Sequence, residues 1–238
     1  MKPEGTLYLL PVWLGEAGGP EQLPAANTAV AEQLDLFFCE DERTARRMLR
    51  RMSAAIDLNA IELRLLDKDT TPAELGQYAK MLATRDAAVL SEAGMPCIAD
   101  PGARLVAEAH RTGARVVPLA GPSSLLLALA ASGLNGQRFS FHGYLPRDPG
   151  QRRSHLKHLE QQAQRTGAAQ LFIETPYRNE ALLADLLASC ADQTRLCLAI
   201  DLGQPGGSVH TRTLAHWRKA VPLLGKRPCV FILGHEGP

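Results

Sequence analysis

The sequence predicts an α/β protein made of two lobes. Short apolar runs rich in β-forming residues alternate with helical patterns along all 238 residues, which is typical of parallel strands joined by crossover helices. A Gly121-Pro122 pair interrupts this alternation near the middle of the chain, and the pattern changes after it. We therefore expect two α/β lobes of similar size, 1–120 and 121–238.

Local patterns predict each element of the first lobe. The first apolar run begins at Thr6 and is stopped by Pro11, since proline cannot continue a ladder of hydrogen bonds. Thr71-Pro-Ala-Glu74 is a capping box, which starts a helix. The predicted strands cover 6–10, 36–39, 61–66, 87–91 and 115–119, and the predicted helices cover 24–33, 43–52, 71–84 and 103–112.

The second lobe begins with a helix that ends at Gly133, and the residues from Phe139 to Leu145 then alternate like a strand. A long polar helix follows. The predicted strands cover 139–145, 170–174, 195–200 and 227–233, and the predicted helices cover 123–132, 151–164 and 178–191.

Composition excludes several classes of protein. The 26 Lys+Arg against 25 Asp+Glu give a net charge of +1, and 45% of the residues are hydrophobic, which excludes intrinsic disorder and a globally basic nucleic-acid binder. No apolar run reaches the roughly 18 residues of a membrane span, and no signal-peptide pattern opens the chain, so we expect a cytosolic protein. The five scattered cysteines predict structural thiols, without disulfides or metal.

The familiar nucleotide-binding and hydrolase motifs are missing. No G-x-G-x-x-G follows the first strand, and the chain contains neither a P-loop nor a G-x-S-x-G elbow. A dinucleotide site, a P-loop nucleotidase and an α/β-hydrolase are therefore not expected.

The segment from Ser91 to Gly102 is the most unusual in the chain. It directly follows an apolar strand and contains Gly94, Pro96 and Pro101, so its backbone is constrained and can approach a ligand closely. Ligands of open α/β sheets bind at the carboxyl ends of strands. The alternative is a plain turn in which Asp100 caps the next helix.

Ser123 and Ser124 stand at a predicted helix N-terminus. Hydroxyl and free N–H groups there can hold a carboxylate or the polar edge of a ligand. Simple helix capping is the alternative.

The helix predicted over 43–52 has one apolar and one cationic face. Its five arginines fall at i, i+3, i+4, i+7 and i+8, and arginine forks match phosphate oxygens. A solvated face or an acidic protein partner is the alternative. The arginines are Arg43, Arg46, Arg47, Arg50 and Arg51.

The carboxylates of Glu40 and Asp41 precede this helix and could orient a substrate or accept a proton.

A second basic patch is predicted on the long polar helix, and the two patches together predict binding of a polyanion. It comprises Arg147, Arg152, Arg153, Lys157 and His158, partly offset by Asp148 and Glu160.

These loops resemble the tetrapyrrole methylase superfamily, and in detail its ribosomal RNA small-subunit methyltransferase I branch. The segment S-E-A-G-M-P-C-I-A-D-P-G at 91–102 is similar to the superfamily signature S-D-A-G-T-P-x-I-x-D-P-G. Six further matches follow in the same order and span almost the whole chain. They are L-Y-L-L-P at 7–11, E-D-E-R at 40–43, P-L-A-G-P-S-S at 118–124, F-S-F-H-G-Y-L-P at 139–146, R-R at 152–153 and F-I-E-T-P-Y-R at 172–178.

The resemblance implies two α/β lobes with S-adenosylmethionine held in the cleft between them, usually in a homodimer. Its ribosomal branch transfers a methyl group to a ribose 2′-hydroxyl of RNA. Carried over by position, the cofactor-binding residues are Pro11, Ala93, Gly94, Ile98, Ser123, Ser124 and Phe172. Because the sulfonium is already a good methyl donor, catalysis is mostly positioning. The candidate bases are Glu40, Asp41 and Asp100, and Arg43 is the candidate phosphate ligand.

The chain departs from the branch around the acceptor. Its first loop reads Pro11-Val-Trp-Leu-Gly-Glu16, where the branch has P-T-P-I-G-N, and the A-R-E-L-T-K segment is replaced by Ala199-Ile-Asp-Leu-Gly-Gln204. The matched motifs and the cationic face of the helix over 43–52 nevertheless predict an S-adenosylmethionine-dependent methyltransferase acting on RNA. It leaves open a small-molecule acceptor such as a tetrapyrrole, and a cofactor- or RNA-binding protein without turnover.

Overall fold

The computed structural model describes residues 5–235, which divide into two compact units, one ending at Ser123 and the other beginning at Ser124. The elements of the first unit are β1 (Thr6–Leu10), α1 (Ala25–Ala31), β2 (Leu36–Cys39), α2 (Glu42–Met52), β3 (Glu62–Leu65), α3 (Pro72–Met81), β4 (Ala87–Leu90), α4 (Ala103–Thr112) and β5 (Arg115–Pro118). Those of the second are α5 (Ser124–Ser132), β6 (Phe139–Tyr144), α6 (Pro149–Thr166), β7 (Ala169–Ile173), α7 (Asn179–Ser189), β8 (Arg195–Ile200), β9 (Ser208–Thr213), α8 (Leu214–Lys219) and β10 (Cys229–Gly234).

The first unit is a parallel sheet of order β3-β2-β4-β1-β5 with a packed core on both faces. Phe37 lies in one core with α1 and α2, and the next residue, Phe38, lies in the other with α3 and α4. Adjacent strand residues point to opposite faces, and burial of both faces explains the continuous apolar runs. All five strands end at the same edge, so the loops that follow them gather there.

The second unit has a mixed sheet of order β6-β7-β10-β8-β9, in which β6 and β7 are parallel and the other pairs are antiparallel. Helix α5 packs on one face of this sheet, while α6, α7 and α8 pack on the other. Strand β9 and helix α8 were not predicted. Strand β9 reads S-V-H-T-R-T, and its apolar content is too low to predict a strand. It becomes a strand by pairing with β8.

Capping residues set the ends of several helices. The Asp41 carboxylate accepts the N–H of Thr44, so α2 begins at Glu42, one residue before the predicted start. The predicted capping box at Thr71 and Glu74 is present at the start of α3. Asp148 likewise caps α6, which is longer than predicted at both ends and stops before Gly167 in a left-handed conformation.

The predicted second basic patch is wrong at Arg152. This side chain is 4% exposed, and its guanidinium pairs with the carboxylate of Asp185 at 2.5 Å. Glu160 is also buried and accepts hydrogen bonds from Thr194 and the N–H of Ala191, so it does not offset the patch. An ionic contact between α6 and α7 thus takes the place of a free cation.

All five cysteines are free thiols, four of them buried and Cys97 half-buried. Burial raises the pKa of the Cys97 thiol to about 11, so it stays protonated at neutral pH. Between residues 5 and 235 no cluster of three His, Cys, Asp or Glu side chains is suited to a metal ion. No helix in that range is long and apolar enough to cross a membrane.

Candidate active site

The loops at the carboxyl edge of the first sheet are fastened to one another. The N–H of Val12, after β1, donates to the carbonyl of Gly94, after β4, at 3.0 Å. The Ser91 hydroxyl donates to the same carbonyl at 2.6 Å. The two segments that the sequence singled out, at Pro11 and at Ala93-Gly94, therefore lie side by side.

The loop after β4 is held in an unusual backbone conformation. Cys97 and Ala99 have φ values of 68° and 63°, a region that non-glycine residues rarely adopt. Gly102 has a φ of 128°, and a Cβ there would lie 2.6 Å from the Cys97 sulfur. Such strain persists only where surrounding contacts enforce it, and it clusters at functional sites.

The start of helix α4 bears on the plain-turn interpretation of this loop. It begins at Ala103, and its N-cap is Gly102, with no side-chain capping bond. Asp100 is therefore not the helix cap that the plain-turn alternative required. Ile98, in the same loop, keeps 43% of its surface exposed although it is large and apolar.

The loop after β5 lies against the loop after β1. A Cβ at Gly121 would lie 2.4 Å from the Pro11 ring, so only glycine fits there. The buried Asn27 donates from its amide to the carbonyl of Ala120 at 2.8 Å and anchors this loop. The loop leads directly into the buried Ser123 and then into α5.

Carboxylates gather beside these loops. Glu40 directly follows β2, and Glu92 and Asp100 belong to the loop after β4. Burial, followed by the charges of Asp100, Glu92 and Asp67, raises the pKa of Glu40 to about 7. Burial and Glu92 raise the pKa of Asp100 to about 6. In the described part of the chain, none of these three carboxylates forms an ion pair, although arginines line a cavity together with Glu92.

Asp41 has a different role from its neighbour. Its carboxylate accepts the N–H of Thr44 at 2.7 Å, and this hydrogen bond lowers the pKa of Asp41. It is therefore a helix cap and a weaker base than Glu40.

The five arginines of α2 divide into two groups. Arg46 donates to the Leu58 carbonyl at 2.6 Å, and Arg51 donates to the carbonyls of Glu16 and Gly18 and lies 4.7 Å from the Trp13 ring centre. Arg51 therefore holds the first loop, and Arg46 holds the segment that follows α2. Within residues 5–235 the remaining three are exposed and make no hydrogen bond or ion pair; they are Arg43, Arg47 and Arg50.

A cavity of about 410 Å³ opens between α2 and the first loop, with Arg47 on its wall together with Glu92 and Ala93 of the β4 loop. A cationic side chain, a carboxylate and the predicted cofactor turn thus line one space. Sequence reasoning gave Glu92 no role of its own, although its place in the 91–102 segment was an available signal.

Two predicted cofactor residues belong to the second unit. Ser124 is the first residue of α5. Phe172 lies in β7, is fully buried, and stacks on Phe231 with ring centres 5.8 Å apart. Only the backbone of Phe172 is therefore available to a ligand.

Sequence reasoning missed an ion pair just beyond β7. The Glu174 carboxylate is buried and accepts a hydrogen bond from Arg178 at 2.5 Å, which lowers the pKa of Glu174 against the opposing effect of burial. Its second carboxylate oxygen has no hydrogen-bond partner among the described residues. The four-residue spacing of Glu and Arg in the 172–178 motif was the available signal.

Comparison with known proteins shows the family of this chain. The model of the family Tetrapyrrole (Corrin/Porphyrin) Methylases matches residues 17–217. The chain belongs to this family. Membership confirms the predicted fold class and enzyme class, an S-adenosylmethionine-dependent methyltransferase.

Curated relatives named "Ribosomal RNA small subunit methyltransferase I" match the chain. The protein of Halalkalibacterium halodurans is 33% identical over 235 residues, which are 98% of this chain and 77% of that relative. The protein of Escherichia coli O157:H7 is 30% identical, and the match covers 98% of this chain and 79% of that relative. That of Xylella fastidiosa is 32% identical over 186 residues, 78% of this chain and 64% of the relative. The chain thus resembles the branch that its loops indicated.

Among solved structures, the uroporphyrin-III-C-methyltransferase of Thermus thermophilus superposes with a TM-score of 0.55. The match covers 97% of this chain and 94% of the other at 20% identity. It supports the fold alone.

The residues of the first unit suit S-adenosylmethionine chemically. A cationic sulfonium and ammonium favour nearby negative charge, and the loop after β4 offers it in the carboxylates of Glu92 and Asp100. The exposed side chain of Ile98 offers an apolar surface to the adenosine.

Proposed function

We propose that this protein transfers a methyl group from S-adenosylmethionine to a ribose 2′-hydroxyl of small-subunit ribosomal RNA. One juxtaposition carries the proposal. Glu40, with its pKa raised to about 7, directly precedes a helix that presents unpaired arginines. A base for a hydroxyl and ligands for a phosphate are the two groups that a nucleotide acceptor requires.

The names of the relatives support the same acceptor. The proteins of Halalkalibacterium halodurans and Escherichia coli O157:H7 are named as methyltransferases of small-subunit ribosomal RNA. They favour RNA over a tetrapyrrole or another small molecule, and turnover over binding alone.

In this proposal the first unit holds the cofactor through Pro11, the Ala93-Gly94 turn and Ile98. Ser123, Ser124 and the backbone of Phe172 complete the set. When bound, S-adenosylmethionine supplies an electrophilic methyl group on a positively charged sulfur.

Glu40 acts as the general base. Its carboxylate takes the proton of the acceptor hydroxyl as the oxygen gains the methyl group. With a pKa of about 7, about half of the Glu40 side chains are ionised at neutral pH, and a base near the operating pH is the most effective. Burial of Glu40, followed by the charges of Asp100 and Glu92, keeps this pKa high.

Arg43, Arg47 and Arg50 hold the RNA backbone. Their guanidinium groups are exposed along α2 and can each form paired hydrogen bonds with a phosphate. The acceptor nucleotide is then held at two points, with its phosphate on the arginines and its hydroxyl on Glu40. An in-line transfer depends on such positioning.

The test measures tritium transfer from methyl-labelled S-adenosylmethionine to small-subunit RNA, free and in the ribosomal subunit. We expect label that survives alkaline digestion at a dinucleotide, because a 2′-O-methyl group removes the hydroxyl that alkali uses. Glu40→Gln should lower the turnover number by about 100-fold or more while the affinity for S-adenosylmethionine is kept. Glu42→Gln, the same change two residues along, is the control. Label in a tetrapyrrole and none in RNA would refute the proposal.

The homodimer that the family resemblance implies is also part of the proposal. Light scattering after gel filtration should give twice the 25.8 kDa of one chain. A mass of a single chain at micromolar concentration would exclude it.

A further inference from the structure

A second polar groove lies in the second unit, between strand β6 and helix α6. Strand β6 is an edge strand of its sheet. A gap lies between this strand and the last turns of α6. The gap encloses about 390 Å³ at the amino ends of β6 and β7, and its walls come from both strands and from the last turns of α6. Its lining residues are Gln137, Arg138, Phe139, Ser140, Gln162, Arg165, Thr166, Ala168 and Gln170.

The charge of this groove has one sign. Arg138 and Arg165 line it, and its lining contains no carboxylate. In the described part of the chain Arg165 makes no hydrogen bond or ion pair, and the Arg138 guanidinium makes only a long 3.5 Å bond to the Thr166 carbonyl. Both cations are therefore available to an anion.

The floor of the groove is a fixed amide. Gln170 is 2% exposed; its Oε1 lies 2.7 Å from Nε2 of His142, and its Nε2 donates to the Ala168 carbonyl at 2.9 Å. His142 is followed by His155 and His158, with successive ring centres 6.2 Å and 6.5 Å apart. Polar hydrogen-bonding groups thus continue from the floor along α6.

An aromatic ring completes the set. Phe139 lines the groove and keeps 44% of its surface exposed. Single-stranded nucleic acids are held by cationic groups along the backbone together with aromatic rings on which bases stack. An acidic protein segment would use the arginines but would gain little from an exposed ring beside polar amides.

We propose that this groove binds a segment of single-stranded RNA, with its phosphates on Arg138 and Arg165 and a base on Phe139. This inference rests on the proposed function, because it gives the RNA substrate a contact in the second unit. Since β6 and β7 run parallel, the groove lies at the opposite end of β7 from Thr175 and the Glu174–Arg178 pair. None of the residues that line the groove is among the proposed cofactor-binding residues.

Binding of a fluorescein-labelled 12-residue oligouridine, followed by anisotropy, tests the groove in the full chain. Arg165→Glu should weaken binding about tenfold and flatten the dependence of log affinity on log salt by about 0.7 or more, since about one phosphate contact is lost. Lys219→Glu is the matched control, because Lys219 is also exposed in the last turn of a helix of this unit. Phe139→Ala should weaken binding about tenfold with an unchanged salt slope.

Two results would overturn the inference. One is equal RNA affinity of Arg165→Glu and Lys219→Glu, with Phe139→Ala matching the unaltered protein. The other is competition by poly-L-glutamate as strong as that by polyuridine, which would indicate an acidic protein as the occupant. Melting temperature and S-adenosylmethionine titration verify that each variant is folded.

Methyl transfer separates this inference from the proposed function. If RNA binding depends on the groove but no RNA is methylated, the proposed function fails and the groove remains an RNA site. If RNA is methylated and Arg165→Glu keeps the KM for RNA, the groove inference alone fails.

Discussion

Glu40→Gln should stabilise the protein while it slows methyl transfer. The pKa of Glu40 rises from 4.5 to about 7 in the folded chain, so the folded state holds a proton more tightly than the unfolded state. Its carboxylate therefore costs stability as the pH rises from about 4.5 to about 7, and the full cost is present above pH 7. Glutamine has nearly the same shape and carries no charge at any pH.

The size of the effect follows from the pKa. Each pH unit corresponds to about 1.4 kcal/mol, which sets an upper bound of about 3 kcal/mol. Because Glu40 is only partly buried, solvent screening reduces the expected gain to about 1–2 kcal/mol. For a chain of this size that gain raises the melting temperature by about 3–6 °C at pH 8. At pH 5, where the folded-state carboxyl is protonated, about a quarter of the gain remains.

The assay compares thermal unfolding of the unaltered protein, Glu40→Gln and Glu42→Gln at pH 5 and pH 8. Glu42 is an exposed residue in the first turn of α2, so its substitution controls for the loss of one negative charge. Equal melting temperatures of Glu40→Gln and the unaltered protein at pH 8 would refute the reasoning. An equal gain at both pH values would do the same, because it would have no electrostatic origin.

One further substitution in each unit tests its packing, and a third is a control. Asp185→Ala leaves the guanidinium of Arg152 buried without its carboxylate, so urea unfolding should show a loss of about 3–5 kcal/mol; a loss under 1 kcal/mol would mean that the pair is screened by solvent. Gly121→Ala forces a Cβ against the Pro11 ring, and calorimetry should show at least a tenfold loss of S-adenosylmethionine affinity. Gly76→Ala, where a Cβ meets nothing within 4 Å in α3, should keep that affinity and add about 0.5–1 kcal/mol of stability.

Much of the fold could be predicted because its signals are local. Continuous apolar runs mark strands that are buried on both faces, and the Thr71 capping box marks a helix start. Strand β9 and helix α8 escaped prediction because their residues become a strand and a helix through pairing with β8 and packing of Trp217, whose indole N–H donates to the Leu196 carbonyl.

The candidate site was predicted in its parts. The 91–102 loop and the Glu40-Asp41 pair were visible as unusual segments at strand ends. Their separate roles were not, because a hydrogen bond lowers the pKa of Asp41 while burial and neighbouring charge raise that of Glu40. Arg152 and Arg51 also looked like surface cations, since sequence spacing does not show whether an arginine has an internal partner.

The sequence by itself determined the α/β class, the family resemblance and the order of the loops that carry chemistry, because these depend on residue type and short spacings. Tertiary structure alone decided which charges meet. Glu40 and Asp100 are 60 positions apart in the chain, and they interact because β2 and β4 are parallel neighbours whose carboxyl ends share one edge. Burial at that edge, rather than any local pattern, gives Glu40 a pKa near neutral.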